Sequence, residues 1–388
     1  MPDQQRTQVV VLGGGYAGTL AVNRLRRRAD IDITLVNPRT EFVERIRLHQ
    51  LVAGTGTATA EYSSLLGDGV RLVVDTAARI DTAGRTIELA SGAELPYDYL
   101  VYAVGSTAAT TSQVPGVSEH AYPLAELEHA HRVRETLDGL PSGTPITVVG
   151  AGLTGLETAT ELAERGRPVR LLCGGVLGPA LSAPGRRSVA KRLARLGVEV
   201  QETAVVAEVR SDAVVLDDNT VLASPVTIWT AGFGVPELAR VSGLSTDALG
   251  RLRTDETLTS VDDDRVIAAG DAAAPSGQPL RMSCQAAIPL GAQAADTVSS
   301  RISGRLPDPI DQAFVGSCVS LGRRGAIIQA ARRDDTPVNM FLAGRVAAAV
   351  KESICRGTLW QLRREAAKPG SSIWVKGGRK GVATESMA

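Results

Sequence analysis

Aromatic residues are scarce in this sequence, which has only 4 Phe, 6 Tyr and 3 Trp among its 388 residues. The core must therefore be built mainly from Val, Leu, Ile and Ala, and such a core suits helices that pack on parallel strands. No stretch of about 18 predominantly apolar residues occurs, so the sequence predicts no membrane-spanning helix. The polar N-terminus leads directly into an apolar run at residues 9–12, which we expect to be a strand rather than part of a signal peptide.

An excess of charge of either sign is also absent, because Lys+Arg and Asp+Glu number 42 each. Nothing in this balance favours binding to nucleic acid. The four cysteines, at positions 173, 284, 318 and 355, are too far apart for a CxxC motif or a metal-binding knuckle. We therefore predict no metal site, and we expect four reduced thiols in a cytoplasmic protein.

A strand, a glycine-rich turn, a helix and a second strand follow one another twice along the chain. The first copy covers residues 9–12, 13–18, 19–28 and 31–36, and the second covers residues 146–149, 150–155, 156–165 and 169–172. The short apolar strands predict buried parallel sheets, and the separation of the copies is too long for a solenoid repeat. We predict an α/β protein with two Rossmann-like three-layer domains. In the first helix, Arg24 is expected at the solvated end.

Both turns match the pattern Gly-x-Gly-x-x-Gly, with glycines at Gly13, Gly15 and Gly18 in the first turn and at Gly150, Gly152 and Gly155 in the second. In such a turn the first glycine permits the tight bend, the second lets the backbone approach a pyrophosphate, and the third lets the helix pack closely on the strand. The free N–H groups of the helix then face the phosphates. Two matches, each between a strand and a helix, predict two dinucleotide cofactors.

The position after the second strand of each copy usually carries an acid that binds the ribose hydroxyls. It is Asn37 in the first copy, whose side-chain carbonyl could accept one such hydrogen bond. In the second copy it is Cys173, so the acid that would favour NADH is missing. No arginine follows directly to favour NADPH, although Arg186 and Arg187 lie further along the chain. The residue chemistry therefore leaves the choice between the two nucleotides open.

Three further segments complete a resemblance to a known family. Residues 97–105 (YDYLVYAVG), 227–233 (TIWTAGF) and 265–271 (RVIAAGD) resemble successive motifs of FAD-dependent pyridine nucleotide-disulfide oxidoreductases. The resemblance implies bound FAD and NADH or NADPH, with Asp271 holding the flavin ribityl chain by charge-assisted hydrogen bonds. It also implies an FAD-binding domain in two halves, an inserted NAD(P)H-binding domain, a linker and a small C-terminal α+β region. The predicted bounds are 1–115 and 251–307 for the FAD-binding halves, 116–250 for the insertion, 110–120 for the linker and 308–388 for the C-terminal region.

A redox-active cysteine pair, which the disulfide reductases need, is missing. The chain resembles instead the type II NADH dehydrogenase and apoptosis-inducing-factor-like branch, which places residues equivalent to 42–50 against the flavin and pyrophosphate. In that segment, the Arg45 guanidinium could bind phosphate through bidentate hydrogen bonds. Glu157 matches a glutamate near the nicotinamide and flavin, where it could relay a proton or orient the carboxamide; it could also be an acid that complements the helix dipole. The resemblance places seven other residues against a cofactor: Tyr16, Ala17, Ala77, Gly105, Gly232, Gly270 and Ala287.

The predicted acceptor site departs from the pattern of the branch. Type II dehydrogenases carry Ala-Gln-x-Ala-x-Gln where a quinone meets the flavin, and residues 284–289 (CQAAIP) match this stretch. The resemblance makes Gln285 a catalytic candidate, whereas Pro289 replaces the second glutamine and cannot donate a hydrogen bond to a quinone. Cys284 would be either a redox thiol beside the flavin or a small buried residue.

The C-terminal segment, residues 344–388, is basic, with nine Lys or Arg against three Glu. Val346, Val350, Ile354 and Thr358 follow one another at helical spacing. They could belong to an amphipathic helix that lies on an anionic membrane surface, and this would place the protein at the inner face of the cell membrane. They could also be the face by which a helix packs on its own protein, with a solvated basic face opposite.

Four hypotheses about function follow. The first is an NAD(P)H oxidoreductase that reduces a quinone or another small-molecule electron acceptor, with a homodimer as a further expectation. The second is a soluble tailoring or dye-reducing oxidoreductase that acts on a small molecule, and Pro289 favours it. The third is sulfide oxidation, which requires Cys173 or Cys318 to approach Cys284. The fourth is a non-catalytic flavoprotein that senses redox state or binds a partner.

Overall fold

The first of two large sheets is entirely parallel. The computed structural model describes residues 6–108 and 114–377. In spatial order, the first sheet contains the strands Val266–Ala268, Tyr99–Tyr102, Thr7–Leu12, Ile31–Asn37 and Val70–Val74. Most of its residues are buried, and the helices Tyr16–Leu25 and Cys284–Ile302 pack against it, which explains the continuous apolar runs in the sequence.

The second sheet is also entirely parallel and is inserted into the first. Its spatial order is Ala121–Pro123, Val226–Trp229, Ile146–Val149, Val169–Leu172 and Glu199–Gln201. All five strands fall between Tyr99–Tyr102 and Val266–Ala268, which are neighbours in the first sheet. An antiparallel ribbon of Thr107–Ala108 and Phe233–Gly234 joins the two places where the chain passes between the sheets. This topology agrees with the predicted insertion, and the predicted domain bounds stay predictions.

Helices cover the sheets. They are Tyr16–Leu25, Leu48–Ala53, Val117–His120, Leu127–Asp138, Leu153–Glu164, Ala183–Arg195, Leu238–Val241, Cys284–Ile302 and Arg345–Ala367, with 3-10 turns at Arg45–Arg47, Tyr62–Ser64 and Gly270–Ala272. The helices after the glycine-rich turns begin at Tyr16 and Leu153, earlier than predicted, because the third glycine of each motif already lies in the first helical turn.

Five smaller sheets complete the fold. They are Glu41–Val43 with Thr59–Glu61; Ala77–Asp81, Thr86–Leu89 and Glu94–Pro96; Val206–Val209, Ala213–Leu216 and Val221–Ala223; Leu252–Thr254 with Ala273–Pro275; and Gly316–Ser320, Ala326–Ala331 and Pro337–Gly344. The last of these sheets and the helix Arg345–Ala367 form the predicted C-terminal α+β region. Of the predicted linker, residues 110–113 lie outside the described residues and Val117–His120 is a short helix.

The first helix, Tyr16–Leu25, is buried along its whole length. The helix Cys284–Ile302 crosses it so closely that a Cβ added to Gly291 would lie 2.2 Å from the carbonyl oxygen of Ala17. The expectation that Arg24 is solvated is therefore wrong: Arg24 is buried, and its Nη2 lies 2.7 Å from Asp296 Oδ2. The covering helices come from the far end of the chain, and local sequence gives no signal of them.

Candidate functional site

The first glycine-rich turn has the geometry that its motif predicts. Gly13 has a φ of +97°, and a Cβ there would lie 2.4 Å from the carbonyl oxygen of Ala103. A Cβ on Gly18 would lie 1.8 Å from the carbonyl oxygen of Gly13, whereas a Cβ on Gly15 would meet nothing within 4 Å. The first and third glycines are therefore required by the protein itself, and the second faces open space. No side chain caps the following helix, so its first N–H groups remain available to an anion.

A cavity of about 250 Å³ opens at this turn, at the carboxyl ends of the first-sheet strands. The structure brings together six of the predicted residues in its lining: Gly13, Gly15, Asn37, Arg45, Ala77 and Gly105. It also adds residues that sequence reasoning missed, namely Arg39, Tyr62, Asp75, Thr76, Ser106 and Glu126. Asp75 and Thr76 could have been found, because they directly follow a parallel strand at the edge where ligands of such sheets bind.

Asn37 organises the floor of this cavity. Its Oδ1 accepts a hydrogen bond from the N–H of Gly14 at 3.0 Å, and its Nδ2 donates to the carbonyl of Arg39 at 2.8 Å. The hydroxyl of Tyr62 donates to the carbonyl of Gly14 at 2.7 Å. Arg39 in turn forms a bidentate ion pair with Glu128: its Nε and Nη2 lie 2.6 and 2.7 Å from the two carboxylate oxygens. The Asn37 side chain thus helps to hold the turn, and its Oδ1 can still accept a second hydrogen bond.

Arg45 and Asp271 are linked through Ser106. Arg45 Nη1 donates to the carbonyl and the hydroxyl of Ser106, at 2.7 and 2.9 Å. The Ser106 hydroxyl donates to Asp271 Oδ2 at 2.7 Å. These residues meet because the strands that precede Ser106 and Asp271 are paired in the first sheet. Burial lowers the pKa of Arg45 from its ordinary value, which leaves a desolvated cation beside the cavity.

Three predicted residues with small side chains converge near Asp271. A Cβ added to Gly270 would lie 3.1 Å from the Cβ of Ala17 and 3.8 Å from the Cβ of Ala287. Tyr16, by contrast, turns its ring away into the core, where it packs edge-on against Phe42 with centroids 5.0 Å apart. Only the backbone of Tyr16 therefore belongs to the glycine-rich turn.

The second glycine-rich turn repeats the first. Gly150 has a φ of +103°, and a Cβ there would lie 2.9 Å from the nitrogen of Ala231, directly before Gly232. A Cβ on Gly155 would lie 1.8 Å from the carbonyl oxygen of Gly150, whereas a Cβ on Gly152 would meet nothing within 4 Å. The helix Leu153–Glu164 also begins without a side-chain cap. The chain therefore presents two separate turns that each offer open space to a pyrophosphate.

Glu157 lies at the junction of the two sheets and the C-terminal region. Its Oε1 is 3.2 Å from Lys351 Nζ and accepts a hydrogen bond from the N–H of Ser320 at 2.9 Å. Its Oε2 is 3.6 Å from Nδ1 of the buried His49. The sequence analysis missed Lys351 and His49 as partners because they lie in distant segments. The interpretation of Glu157 as a first-turn acid that complements the helix dipole is not supported, because the first turn of the helix Leu153–Glu164 contains no acidic residue.

The charges of this group follow from burial and from pairing. Burial raises the pKa of Glu157, but Lys351 and His49 outweigh it, and the net pKa lies below the ordinary value. Burial lowers the pKa of Lys351, but Glu157 outweighs it and the net pKa is raised. Burial lowers the pKa of His49 to about 4. At neutral pH the junction therefore holds a carboxylate, an ammonium and a neutral imidazole whose Nε2 has no hydrogen-bond partner among the described residues.

The predicted acceptor residues lie at the start of the helix Cys284–Ile302. The Gln285 amide, in the orientation that satisfies both of its polar atoms, donates to the carbonyl of Gly316 at 3.0 Å and accepts from the N–H of Val315 at 3.2 Å. Pro289 lies inside the helix and is buried. Burial raises the pKa of Cys284 to about 11, and Cys318 acts in the same direction. All four cysteines are free thiols.

The C-terminal helix Arg345–Ala367 packs on the protein by a different face from the predicted stripe. Val346, Val350 and Ile354 are 64%, 37% and 41% exposed, whereas Ala347, Lys351, Cys355 and Thr358 are buried. The packing interpretation of the stripe therefore fails for all but Thr358, because the helix turns Lys351 inward toward Glu157. Within residues 6–108 and 114–377, no helix combines the length and the apolar character needed to cross a bilayer.

Comparisons with known proteins agree with this architecture. A model of the family described as pyridine nucleotide-disulphide oxidoreductase matches residues 7–291. An NADH dehydrogenase-like protein of Mycobacterium tuberculosis (strain CDC 1551) is 29% identical over 351 residues, which cover 83% of this chain and 87% of that protein. A type II NADH:quinone oxidoreductase of Staphylococcus haemolyticus is 27% identical over 394 residues, which cover 90% and 94% respectively.

Solved structures share the whole fold. The sulfide:quinone oxidoreductase from Aquifex aeolicus has a TM-score of 0.78 at 20% identity and covers 92% of each chain. NDH2 from Plasmodium falciparum has a TM-score of 0.77 at 16% identity, over 93% of this chain and 97% of that one. These similarities confirm the predicted α/β fold, the resemblance to the type II branch and the expected cofactors, FAD with NADH or NADPH. The chain belongs to the pyridine nucleotide-disulphide oxidoreductase family.

Proposed function

We propose that the protein oxidises NADH or NADPH by means of FAD and passes two electrons to a quinone-type acceptor. The observation that carries the proposal is the buried Glu157–Lys351 pair, which lies where both nucleotide-binding sheets meet the C-terminal region. The relatives named NADH:quinone oxidoreductase support the same reaction. When bound, FAD would supply the chemistry by which a hydride leaves the reduced nicotinamide and two electrons reach an acceptor.

The residues at the two turns fit the two cofactors. The open space at Gly15 suits the FAD pyrophosphate, and the open space at Gly152 suits that of NAD(P)H. Arg45 would hold FAD phosphate oxygens, and Asp271 would hold the ribityl hydroxyls. The other residues proposed for FAD are Gly13, Tyr16 (by its backbone), Ala17, Gly18, Asn37, Ala77, Gly105, Gly270 and Ala287. Those proposed for NAD(P)H are Gly150, Gly155 and Gly232.

Glu157 is proposed to orient the nicotinamide carboxamide or to move a proton at the junction. Its carboxylate is held by Lys351 and by the N–H of Ser320, so its position is fixed before substrate binds. The Nδ1 of the neutral His49 lies near the other carboxylate oxygen, Oε2, and the free Nε2 of His49 can accept a proton. The positive charge of Lys351 would favour negative charge that develops on an acceptor during reduction.

A second candidate function is the reduction of a soluble small molecule, and Pro289 favours it. A proline provides neither a side-chain nor a backbone donor at the position where the type II pattern has glutamine. Gln285 is meanwhile engaged with the backbone of Val315 and Gly316. Contact between Gln285 and an acceptor, which we retain as a proposal, would require these two hydrogen bonds to be exchanged.

The exposed stripe of the C-terminal helix is proposed to lie on an anionic membrane. Met340 and Leu342, in the strand that leads into the helix, are also exposed, so Val346, Val350 and Ile354 do not stand alone. An apolar stripe on a basic helix is the composition that binds an anionic interface. This contact would bring the protein to the layer in which lipid-soluble quinones reside.

Vesicle sedimentation tests this contact. Val350→Glu combined with Ile354→Glu should reduce binding to vesicles rich in phosphatidylglycerol by about tenfold or more, since charge would replace apolar surface. Val205→Glu combined with Val221→Glu, at exposed valines of the inserted domain, is the matched control. Equal binding of both double variants would refute membrane contact through this stripe. A lipid-free dimer that only the helix variant dissociates would assign the stripe to a second copy of the chain.

Anaerobic flavin reduction tests the proposed function. The purified holoprotein is mixed with NADH and NADPH in turn, and a short-chain quinone is then added. Fast reduction followed by fast reoxidation is the expected result. Fast reduction without a response to quinone would favour a soluble acceptor, and no reduction by either nucleotide would leave only a non-catalytic role.

A further inference from the structure

The nucleotide-binding edge of the second sheet lacks the usual strand-end acid, but a carboxylate stands one strand away. The parallel register pairs Leu172 with Gln201, so the next residues, Cys173 and Glu202, lie side by side. The N–H of Cys173 donates to the carbonyl of Gln201 at 3.0 Å. The N–H of Gly175 donates to the carbonyl of Glu202 at 2.7 Å, which continues the pairing past the end of both strands.

The Glu202 side chain is directed toward the same region as Cys173. Residues that are lateral neighbours in a parallel sheet project from the same face. Burial raises the pKa of Cys173 to about 11 and Glu202 acts in the same direction, as expected for a carboxylate close to the thiol. Glu202 Oε2 also accepts a hydrogen bond from the N–H of Leu177 at 3.4 Å, in the loop that follows Cys173. Glu202 itself is exposed and can contact a ligand.

This position is where an adenosine ribose would lie. In open α/β sheets the nucleotide crosses the carboxyl ends of the strands, with its pyrophosphate at the glycine-rich turn and its ribose at the end of the next strand. The space there is open, because a Cβ on Gly152, Gly174 or Gly175 would meet nothing within 4 Å. Arg186, which the sequence offered as a partner for a 2′-phosphate, donates instead to the carbonyl of Leu181 at 3.3 Å.

We propose that Glu202 takes the place of the missing acid and makes the protein selective for NADH over NADPH. The Glu202 carboxylate accepts hydrogen bonds from the ribose hydroxyls of NADH, and it repels the 2′-phosphate of NADPH. The inference rests on the proposed function, because it concerns the nucleotide that reduces the flavin.

Nucleotide selectivity of Glu202 variants provides the test. The FAD-loaded wild type should be reduced faster by NADH than by NADPH at equal concentration. Glu202→Gln should raise the Kd for NADH and lower that for NADPH, shifting their ratio by about tenfold or more, as for loss of a hydrogen bond to a charged group. Glu202→Lys should favour NADPH further. Glu199→Gln, on the same strand but paired with Arg170, should leave the ratio unchanged.

A binding readout separates this inference from the proposed function. NADH should protect Cys173 from alkylation at alkaline pH, measured by peptide mass spectrometry, and NADPH should protect it less in the wild type than in Glu202→Gln. Protection without flavin reduction would refute the proposed function and leave the selectivity of Glu202 standing. A wild type that takes both nucleotides equally, or a Glu202→Gln ratio equal to that of Glu199→Gln, would overturn the inference.

Discussion

At the scale of single residues, the Glu157 junction shows how one carboxylate can join three parts of a chain. Lys351 and Ser320 come from the C-terminal region and His49 from the first half of the chain. Removing the charge of Glu157 would leave the Lys351 ammonium buried without its counter-ion, and a buried unpaired charge is costly. The effects of Glu157 on chemistry and on stability must therefore be measured separately.

Glu157→Gln should slow flavin reduction by about 100-fold while FAD stays bound, because a general acid–base or orienting group contributes on that scale. Stopped-flow absorbance of the holoprotein measures the rate, and the flavin spectrum reports FAD content. Glu164→Gln, on the same helix and paired with Arg192, is the matched control. An unchanged rate in Glu157→Gln would remove this residue from the mechanism.

His49 should make stability depend on pH. Burial lowers its pKa to about 4 from an ordinary 6.5, so between these values the unfolded chain binds a proton that the folded chain does not. The free energy of unfolding should therefore fall as pH drops from 6.5 toward 4, by up to about 3 kcal/mol. His49→Gln should lose most of this slope in thermal midpoints taken at fixed FAD concentration, and the exposed His131→Gln should keep it. Equal slopes in the two variants would contradict the assignment.

Motif residues could be predicted from the sequence, and their partners could not. Gly13 follows from a local pattern and Arg45 and Asp271 follow from the family resemblance, and the structure brings them to one region. Lys351 and Glu202 gave no signal, because their importance depends on which distant segment they meet. A lysine in an amphipathic helix is usually solvated, and only the packed structure shows that this one is buried.

At the scale of elements, the two glycine-rich turns form a natural matched pair. A side chain at Gly15 or Gly152 would enter open space rather than protein, so substitution there should spare the fold. Gly15→Val should abolish FAD retention, whereas Gly152→Val should keep FAD and lose reduction by NAD(P)H. Flavin absorbance after gel filtration, followed by stopped-flow reduction, measures both.

The third glycine provides the contrast. Gly18→Val should fail to fold, since its Cβ would lie 1.8 Å from the carbonyl oxygen of Gly13. A Gly15→Val protein that purifies with a full flavin spectrum would contradict the assignment of the first turn to FAD.

Several strands were predicted at or near their observed bounds because each is a short apolar run flanked by turns. Ile146–Val149 and Val169–Leu172 match their predicted ranges. The helical spacing of the C-terminal stripe agrees with the helix Arg345–Ala367, but Val346, Val350 and Ile354 face outward. Helical periodicity predicts that a helix has an apolar face, but it does not predict what that face contacts.

At the scale of the whole molecule, the last described segment packs against the first helix, Tyr16–Leu25. Glu365 is fully buried, lies 3.6 Å from Arg24 and accepts a hydrogen bond from the N–H of Ser372 at 2.7 Å. Arg24 also lies over the ring of Trp374, 5.6 Å from its centroid. These contacts hold the last described residues against the helix that follows the first glycine-rich turn.

Glu365→Gln should destabilise the protein by about 3 kcal/mol, because it leaves Arg24 without one of its buried partners. It should also weaken FAD retention, since the affected helix is the one proposed to present its N-terminus to the FAD pyrophosphate. Thermal unfolding and flavin release report the two effects. Glu237→Gln, in an exposed pair with Arg240, should change neither. A Glu365→Gln protein as stable as Glu237→Gln would show that the link contributes nothing.

The insertion of one sheet into the other was predictable from the family resemblance, which implies a first-sheet motif at residues 265–271, after the second-sheet motifs. The contacts of the C-terminal helix and tail were not, because they join segments that lie far apart in the sequence.

The ribbon of Thr107–Ala108 with Phe233–Gly234 gives the inserted segment adjacent ends. A segment whose two ends lie side by side can be replaced by an equivalent segment of another protein without distorting the surrounding domain. On the proposal that Glu202 sets nucleotide choice, this choice and the flavin chemistry belong to parts of the chain that evolution or an engineer could recombine. The exchange would have to preserve Glu157, because this residue of the inserted segment pairs with Lys351 and Ser320 of the C-terminal region.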